Sequence, residues 1–405
     1  MPRRYLAVAV LLLPLTHLLA CVDEPLQAGE GEGEGEGEGE GEGEGEGEGE
    51  GEGEEPCAFS SLGAADRDRV VVVSHATNHG TTIRTLTLAG TTLSDDGTRL
   101  DVGTDVRRME FVPDGSILLA LGEDGLLVSV AVSAVDQLTV IGSVALPAAG
   151  YGDLRLSADG RTAWVVGSNV AEDTSGVYVV TLKCDGTLTR ATSATLGLRL
   201  STSLAPIGGG RALLLGGQTA FDPIDDDDTR LVQLGPPVTE VAAFDLWSDA
   251  VGATRIAASP SGTMVAVPNN SMFSSLAGTL KLFSLTGDEV DELDTATGLE
   301  TPSEALFSPD GDLLLVSDWE ADAVHLFDVS GDTLAPAGQV GGVGLAEHLA
   351  MVTRGAHAGL VLAAATNAVG NVQLLQIAGT TVSDLGQLDL GDGIDDIPWS
   401  IAVQP

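Results

Sequence analysis

Seven polar residues stand at one and the same place in a repeating pattern: Arg108, Asp153, Thr202, Arg255, Glu304, His348 and Ser400. Each leads an apolar stretch that runs into a turn, and Glu347 and Trp399 precede two of them by one position. Guanidinium groups, carboxylates and an imidazole that converge in a concavity can shift one another's pKa, bind an anion or poise a base. The same polarity suits any wet channel mouth, so a solvation reading stands beside the chemical one. His75 and His79, with Asn78 between them, could ligate a metal, but spacing in a loop fixes no common face as a helix would. Asp225, Asp226, Asp227 and Asp228, with Asp222 nearby, could hold calcium through hard oxygens. They lack the glycine and the spaced acids of a calcium loop, and a solvated acidic cluster is the alternative. Calcium is the one cofactor the sequence raises. No Cys/His group has zinc spacing, and His325 on an alternating strand and His357 beside a turn read as structural.

What would position the polar residues is a repeat. Glu304–Gly311 is a short apolar strand closing on Ser308-Pro309-Asp310-Gly311, followed by Leu313–Ser317 and Val324–Val329. Arg255–Gly262, Arg108–Gly115 and Asp153–Gly160 repeat it, and Thr202–Gly210 and His348–Gly355 are weaker copies. Turn glycines at 115, 160, 210, 262 and 311 are 45, 50, 52 and 49 residues apart. A period near 50 with four short β-rich segments per unit describes a propeller blade. The turn itself is mechanical: proline presets φ, aspartate bonds its own backbone and glycine takes positive φ.

The chain ends on Trp399-Ser400-Ile401-Ala402-Val403-Gln404-Pro405, the first strand of a unit with nothing after it, whereas Asp66–Ser74 begins where a second strand belongs. The fold class expected is therefore all-β, a seven-bladed β-propeller whose C-terminal strand completes the N-terminal blade. Such closure removes exposed sheet edges. Loops between the second and third strands, and connectors between blades, then gather on the face that holds the polar residues, where function in propellers resides.

Phe307–Gly311 with Leu313–Asp328 resembles the repeat of the YVTN and lactonase-like propellers, with Leu-Val-Ser-Asp at 315–318 and Ala-Val-Pro-Asn at 266–269 in place of Tyr-Val-Ala-Asn. The resemblance covers most of residues 60–405. It implies a propeller, and by analogy with its lactonases and lactonizing enzymes it implies His348 as acid/base, Glu304 as its partner, and Arg108 and Arg255 as carboxylate clamps. Asp153, Glu347 and Trp399 complete the candidate binding set.

The N-terminus carries an address. Arg3 and Arg4, an apolar run from Leu6 to Leu15, and Leu18-Leu19-Ala20-Cys21 describe a secretory signal over residues 1–20, too short to span a bilayer. The last four residues resemble the bacterial lipobox, which implies lipidation of Cys21 and a membrane partner through that lipid. Val22 in place of aspartate points to outer-membrane sorting in the cell envelope. From Gly29 to Glu54 the chain is Gly-Glu pairs, so residues 21–56 read as a disordered, self-repelling spacer and 57–405 as the propeller. The net charge is −42, and residues 57–405 alone hold 16 basic against 44 acidic groups. Such a body repels phosphate backbones, which excludes nucleic acid as a natural partner. Cys57 and Cys184, in an oxidising compartment, are expected to form a disulfide.

Two functions fit this reading, both for a monomer. The first is a surface-tethered binding module for an unknown protein, glycan or small anionic ligand. The second is a lactonase-like hydrolase acting on a small anionic lactone at the channel mouth. A quinoprotein propeller is set aside because its tryptophan-rich blade signatures are missing.

Overall fold

Strand pairing in the computed structural model builds seven four-stranded antiparallel sheets. The structure describes residues 68–75, 81–134, 137–147, 152–169, 174–196, 201–216, 229–246, 255–269, 278–365, 370–391 and 397–405. These belong to one compact unit, 55–405, and residues 1–54 form a separate unit outside the described residues. The signal segment, Cys21, the Gly-Glu spacer, Cys57, His79 and Asp225–Asp228 all lie outside the described residues.

The first blade joins β1 (Arg69–His75), β2 (Thr82–Ala89) and β3 (Thr92–Asp101) to β28 (Pro398–Val403) from the far end of the chain, in the order β28-β1-β2-β3. This is the closure expected from the sequence. Val71, Val72 and Val73 pair with Val403, Ala402 and Ile401. Gln404 fastens the seam: its Oε1 accepts from Val70 N at 3.1 Å, and its Nε2 donates to Gly115 O in the next blade at 2.7 Å. Blades two to seven are meanders in chain order. Their innermost strands are β4 (Val106–Phe111), β8 (Leu154–Leu156), β12 (Ser201–Gly208), β16 (Ala257–Ala258), β20 (Pro302–Phe307) and β24 (Ala346–Met351).

Second strands such as β5 (Ile117–Gly122), β21 (Leu313–Asp318) and β25 (Leu360–Ala365) are buried along their whole length. Their continuous apolar runs follow from being sandwiched between two neighbouring blades. In β5, Leu118 and Ala120 pack toward the first blade while Ile117, Leu119 and Leu121 pack toward the third. The two-residue period of a strand sends alternate side chains to opposite interfaces. Seven apolar clusters result, one for each junction between adjacent blades, and the ring is held by these rather than by a central core. At the turn after each inner strand, Gly115, Gly160, Gly262 and Gly311 have φ between 69° and 81°. Gly262 is additionally fixed by space, since a Cβ there would lie 1.9 Å from Ile207 O.

Cys184 is disulfide-bonded. The other cysteines, Cys21 and Cys57, are outside the described residues. Peptide mapping without reductant is expected to recover a Cys57–Cys184 cross-link; a link to Cys21, or a free Cys57 thiol, would contradict the pairing.

Candidate functional site

An inner strand has one neighbour in its own sheet, so its other edge leaves N–H and C=O groups that need partners. Side chains of the preceding blade supply them. Asp153 Oδ2 accepts from Leu204 N at 3.0 Å and from Ser203 Oγ at 2.9 Å. Ser203 Oγ in turn accepts from Ile256 N at 3.2 Å. Glu304 Oε2 accepts from Leu349 N at 2.8 Å, and Glu110 Oε2 accepts from Leu156 N at 3.1 Å. The polar ring therefore has a structural task beside any chemical one.

Local irregularity aims these side chains. Register shifts occur just before or at the polar position in the pairings of β4, β12, β20, β24 and β28 with their second strands. Bulges of this kind re-aim a side chain and are enriched beside active sites. One of them changes the expected membership of the ring. The shift between Ser201 and Ser203 makes Ser203, not Thr202, the fully buried residue bonded to Asp153.

Four of the expected residues meet. Arg108, on the second blade, reaches His348 on the seventh, with Nη1 2.6 Å from the ring Nδ1. The same guanidinium lies 3.8 Å from Glu304 on the sixth blade and 3.8 Å from Asp153 on the third. His348 Nδ1 is also 3.2 Å from Glu304 Oε2. Arg108 and His348 are buried, with relative exposures of 8 % and 2 %. An arginine only donates and a carboxylate only accepts, so Nδ1, which faces both, either accepts from Arg108 or donates to Glu304 according to the tautomer of the ring. His348 Nε2 and Arg108 Nη2 are buried and have no hydrogen-bond partner among the described residues. With Arg108 Nε, also buried without a hydrogen-bond partner, the cluster leaves two guanidinium donors and one ring nitrogen free of hydrogen bonds.

The remaining expected residues lie apart from that contact. Arg255 Nη1 donates to Thr202 O at 3.2 Å. Trp399 carries the Arg107 guanidinium 4.3 Å above its ring, and Arg107 is ion-paired with Glu123 of the loop after β5. Glu347 is half-buried at the start of β24. Among the described residues no group of three His, Cys, Asp or Glu is placed to hold a metal. His75 lies buried at the end of β1, and His325 Nε2 sits 3.3 Å from Asp318.

Two charged residues of the channel escaped the sequence reading, Glu110 and Arg155. Each lies two positions beyond an expected one, Arg108 and Asp153, and so on the same face of its strand. Applying the strand period past the first residue of each copy would have found both. Arg155 Nη2 is 3.2 Å from Asp153, and its Nε donates to Leu204 O at 3.0 Å. Burial works against its charge, but the carboxylates of Asp153, Glu110 and Glu304 raise its pKa further.

The carboxylates are driven in opposite directions. Burial alone would raise Glu304, but the Arg108 charge beside it, the His348 ring and the Leu349 N–H hold it at about 2. Burial pushes Glu110 up to about 7, against the pull of Arg155 and the Leu156 N–H and with help from the Asp153 charge. Glu110 favours its protonated form in the fold, so the stability it lends is complete below about 4.5 and is lost as pH rises through about 7. Glu110→Gln should remove that loss. Above pH 8 the variant is expected to be more stable than the parent by on the order of 2–3 kcal/mol, and equal to it below pH 4.5. Urea unfolding at the two pH values measures this, and a variant less stable at pH 8 would contradict it.

No protein-family model and no curated protein matches the sequence. Solved structures match the fold. A Bacteroides uniformis protein assigned as a 6-phosphogluconolactonase has a TM-score of 0.67 at 16% identity, covering 84% of this chain and 100% of its own. The periplasmic gluconolactonase of Pseudomonas aeruginosa has a TM-score of 0.65 at 15% identity, covering 84% of this chain and 99% of its own. Chaetomium thermophilum Sqt1, bound to the N-terminus of ribosomal protein L10, has a TM-score of 0.54 at 17% identity, covering 79% and 87%. At these identities the likeness shows the fold alone, and the neighbours named for it include both a gluconolactonase and a protein bound to a ribosomal protein's N-terminus.

Proposed function

We propose that the chain is a hydrolase of small lactones that works in its central channel. The observation that carries this is the cluster that brings Arg108, His348, Glu304 and Asp153 together from four blades and leaves Arg108 Nη2 and His348 Nε2 buried without hydrogen bonds. Support comes from the lactonase-like propellers that match nearly the whole of the described fold.

The roles follow from the geometry. Arg108 Nη2 and His348 Nε2 receive the lactone carbonyl oxygen and stabilise it as it becomes an oxyanion. Glu110 lies roughly 7 Å further along the same face of β4 than Arg108, which leaves room for a water beside the bound carbonyl group. Its carboxylate takes a proton from water as the hydroxyl oxygen adds to the carbonyl carbon. When the ring C–O bond breaks, Glu110 returns the proton to the departing ring oxygen, and the product acid then ionises. The pKa of Glu304 makes it a poor base at neutral pH, and its work is to neutralise Arg108 and hold the His348 strand. In this proposal His348 takes the tautomer in which Nδ1 accepts from Arg108 and Nε2 donates, and the acid/base role that the family resemblance implies for it passes to Glu110. The test is proton release from glucono-1,5-lactone in a pH-stat, above the spontaneous rate. Absence of any enzymatic rate would return the molecule to a binding module that presents this face to a macromolecule.

A further inference from the structure

Glu304 and His348 meet across two blades, at 3.2 Å, but regular strand pairing does not fix where either stands. Glu304 lies inside the irregular pairing between Pro302 and Ala305, and His348 ends the one between Ala346 and His348. The placing of each side chain depends on the connector that enters its strand, whose last residue is three positions upstream. Glu300 and Thr301 lead from β19 (Glu289–Leu299) into β20, and residues 342–345 lead from β23 (Ala335–Gly341) into β24.

One turn, between β21 and β22 (Ala323–Asp328), holds both connectors. Asp318, the last residue of β21, is fully buried. Its Oδ2 accepts from Glu300 N at 2.9 Å and its Oδ1 from Thr301 N at 2.6 Å. Trp319 N donates to Thr301 O at 2.9 Å. At the far end of the turn, Asp322 takes every amide of the second connector. Its carbonyl oxygen accepts from Gly342 N at 2.8 Å and Val343 N at 3.3 Å. Its Oδ1 accepts from Gly344 N, and from Leu345 N at 3.2 Å.

All the amides of both connectors thus end on two aspartates. The backbone held this way is unusual, since Asp322 and Leu345 have φ of 54° and 53°, a region that side-chain-bearing residues seldom enter. The corresponding turn of the second blade works differently. There Glu123 N donates to Asp105 O at 2.8 Å, Asp124 accepts the Thr104 hydroxyl at 2.6 Å, and neither carboxylate takes an amide of the 102–105 connector. A reacting group has to be held to within about 0.5 Å, and a misplacement of about 1 Å can cost about 10²-fold in rate.

We infer that Asp318 and Asp322 are positioning residues, which set Glu304 and His348 against each other through the two connectors. Their effect on rate rests on the hydrolase reading; their effect on the Glu304–His348 pair does not.

Asp322→Gly removes Oδ1 but keeps the carbonyl that holds Gly342 and Val343, and glycine suits a positive φ, so folding is spared. Asp322→Asn keeps an acceptor oxygen and also tolerates that φ. In the full chain, the ring-nitrogen NMR signals of His348, identified by their loss in His348→Ala, should move in Asp322→Gly. They should move too in Asp318→Asn, whose amide can accept from only one of the two connector N–H groups, and stay in place in Asp322→Asn. With glucono-1,5-lactone, Asp322→Gly should lower kcat by about 10-fold or more with KM within about 2-fold, because a misplaced His348 fails charge that develops only in the transition state. Asp322→Asn should recover the parent kcat. Unmoved signals in Asp322→Gly or Asp318→Asn, an equal shift in Asp322→Asn, or moved signals with an unchanged kcat in Asp322→Gly overturn the inference and leave the hydrolase reading standing. The expected signal shifts in a parent chain with no enzymatic rate support the positioning and overturn the hydrolase reading alone.

Discussion

Glu110→Gln is expected to cut kcat/KM for glucono-1,5-lactone by about 10²–10⁴-fold, the usual contribution of a positioned general base. His348→Ala, which removes one oxyanion donor, should cost about 10²–10³-fold. In the parent the rate should climb as pH rises through about 7, because only the ionised Glu110 can accept the proton of water. That limb should vanish in Glu110→Gln. The amide keeps an acceptor for Leu156 N–H, so the strand contact survives the change. A merely structural Glu110 would predict something else: unchanged turnover and no pH limb. The pairing of lower activity with higher stability at pH 8 is diagnostic, since residues held against their own preference for a function commonly cost the fold something.

Arg108→Met should destabilise the propeller by about 3–5 kcal/mol, the range for removing one partner of a buried ion pair. Its guanidinium answers Glu304, Asp153 and His348 from three different blades, and none of these can turn to water easily. The pH dependence identifies the cause. Glu304 is depressed in the fold, so its stabilisation is present above about 4.5 and is lost as pH falls toward about 2. Without Arg108 that acid-side loss should shrink. Adding Glu304→Gln to Arg108→Met should cost less than the sum of the two single changes, as expected for residues in one network. Urea midpoints at pH 7 and pH 3 measure both effects, and strict additivity with an unchanged pH dependence would contradict the network.

The ring and its closure were legible because they are written in local chemistry. The turn glycines mark each unit, and the orphan strand Trp399–Gln404 matches a unit whose first strand is missing near Arg69. Alignment on the turn also brought Arg108, Glu304 and His348 into one list, and the structure brings them into contact. What stayed hidden depends on departures from regularity. The bulge before Ser203 moved the ring by one residue in the fourth blade, and no spacing rule reports a bulge. Glu110 and Arg155 were missed by stopping at one residue per copy. The roles of Glu304 and Glu110 could not be told apart from sequence at all, since the difference lies in which of them Arg108 faces across the channel.

The most direct test is a crystal of the full chain soaked with gluconolactam, the ring-closed amide that resists opening. The account predicts its carbonyl oxygen within about 3 Å of Arg108 Nη2 and His348 Nε2, with Glu110 facing the carbonyl carbon at the distance of a water. A lactam seated among the outer loops, with Arg108 and His348 still turned only toward each other, would contradict it.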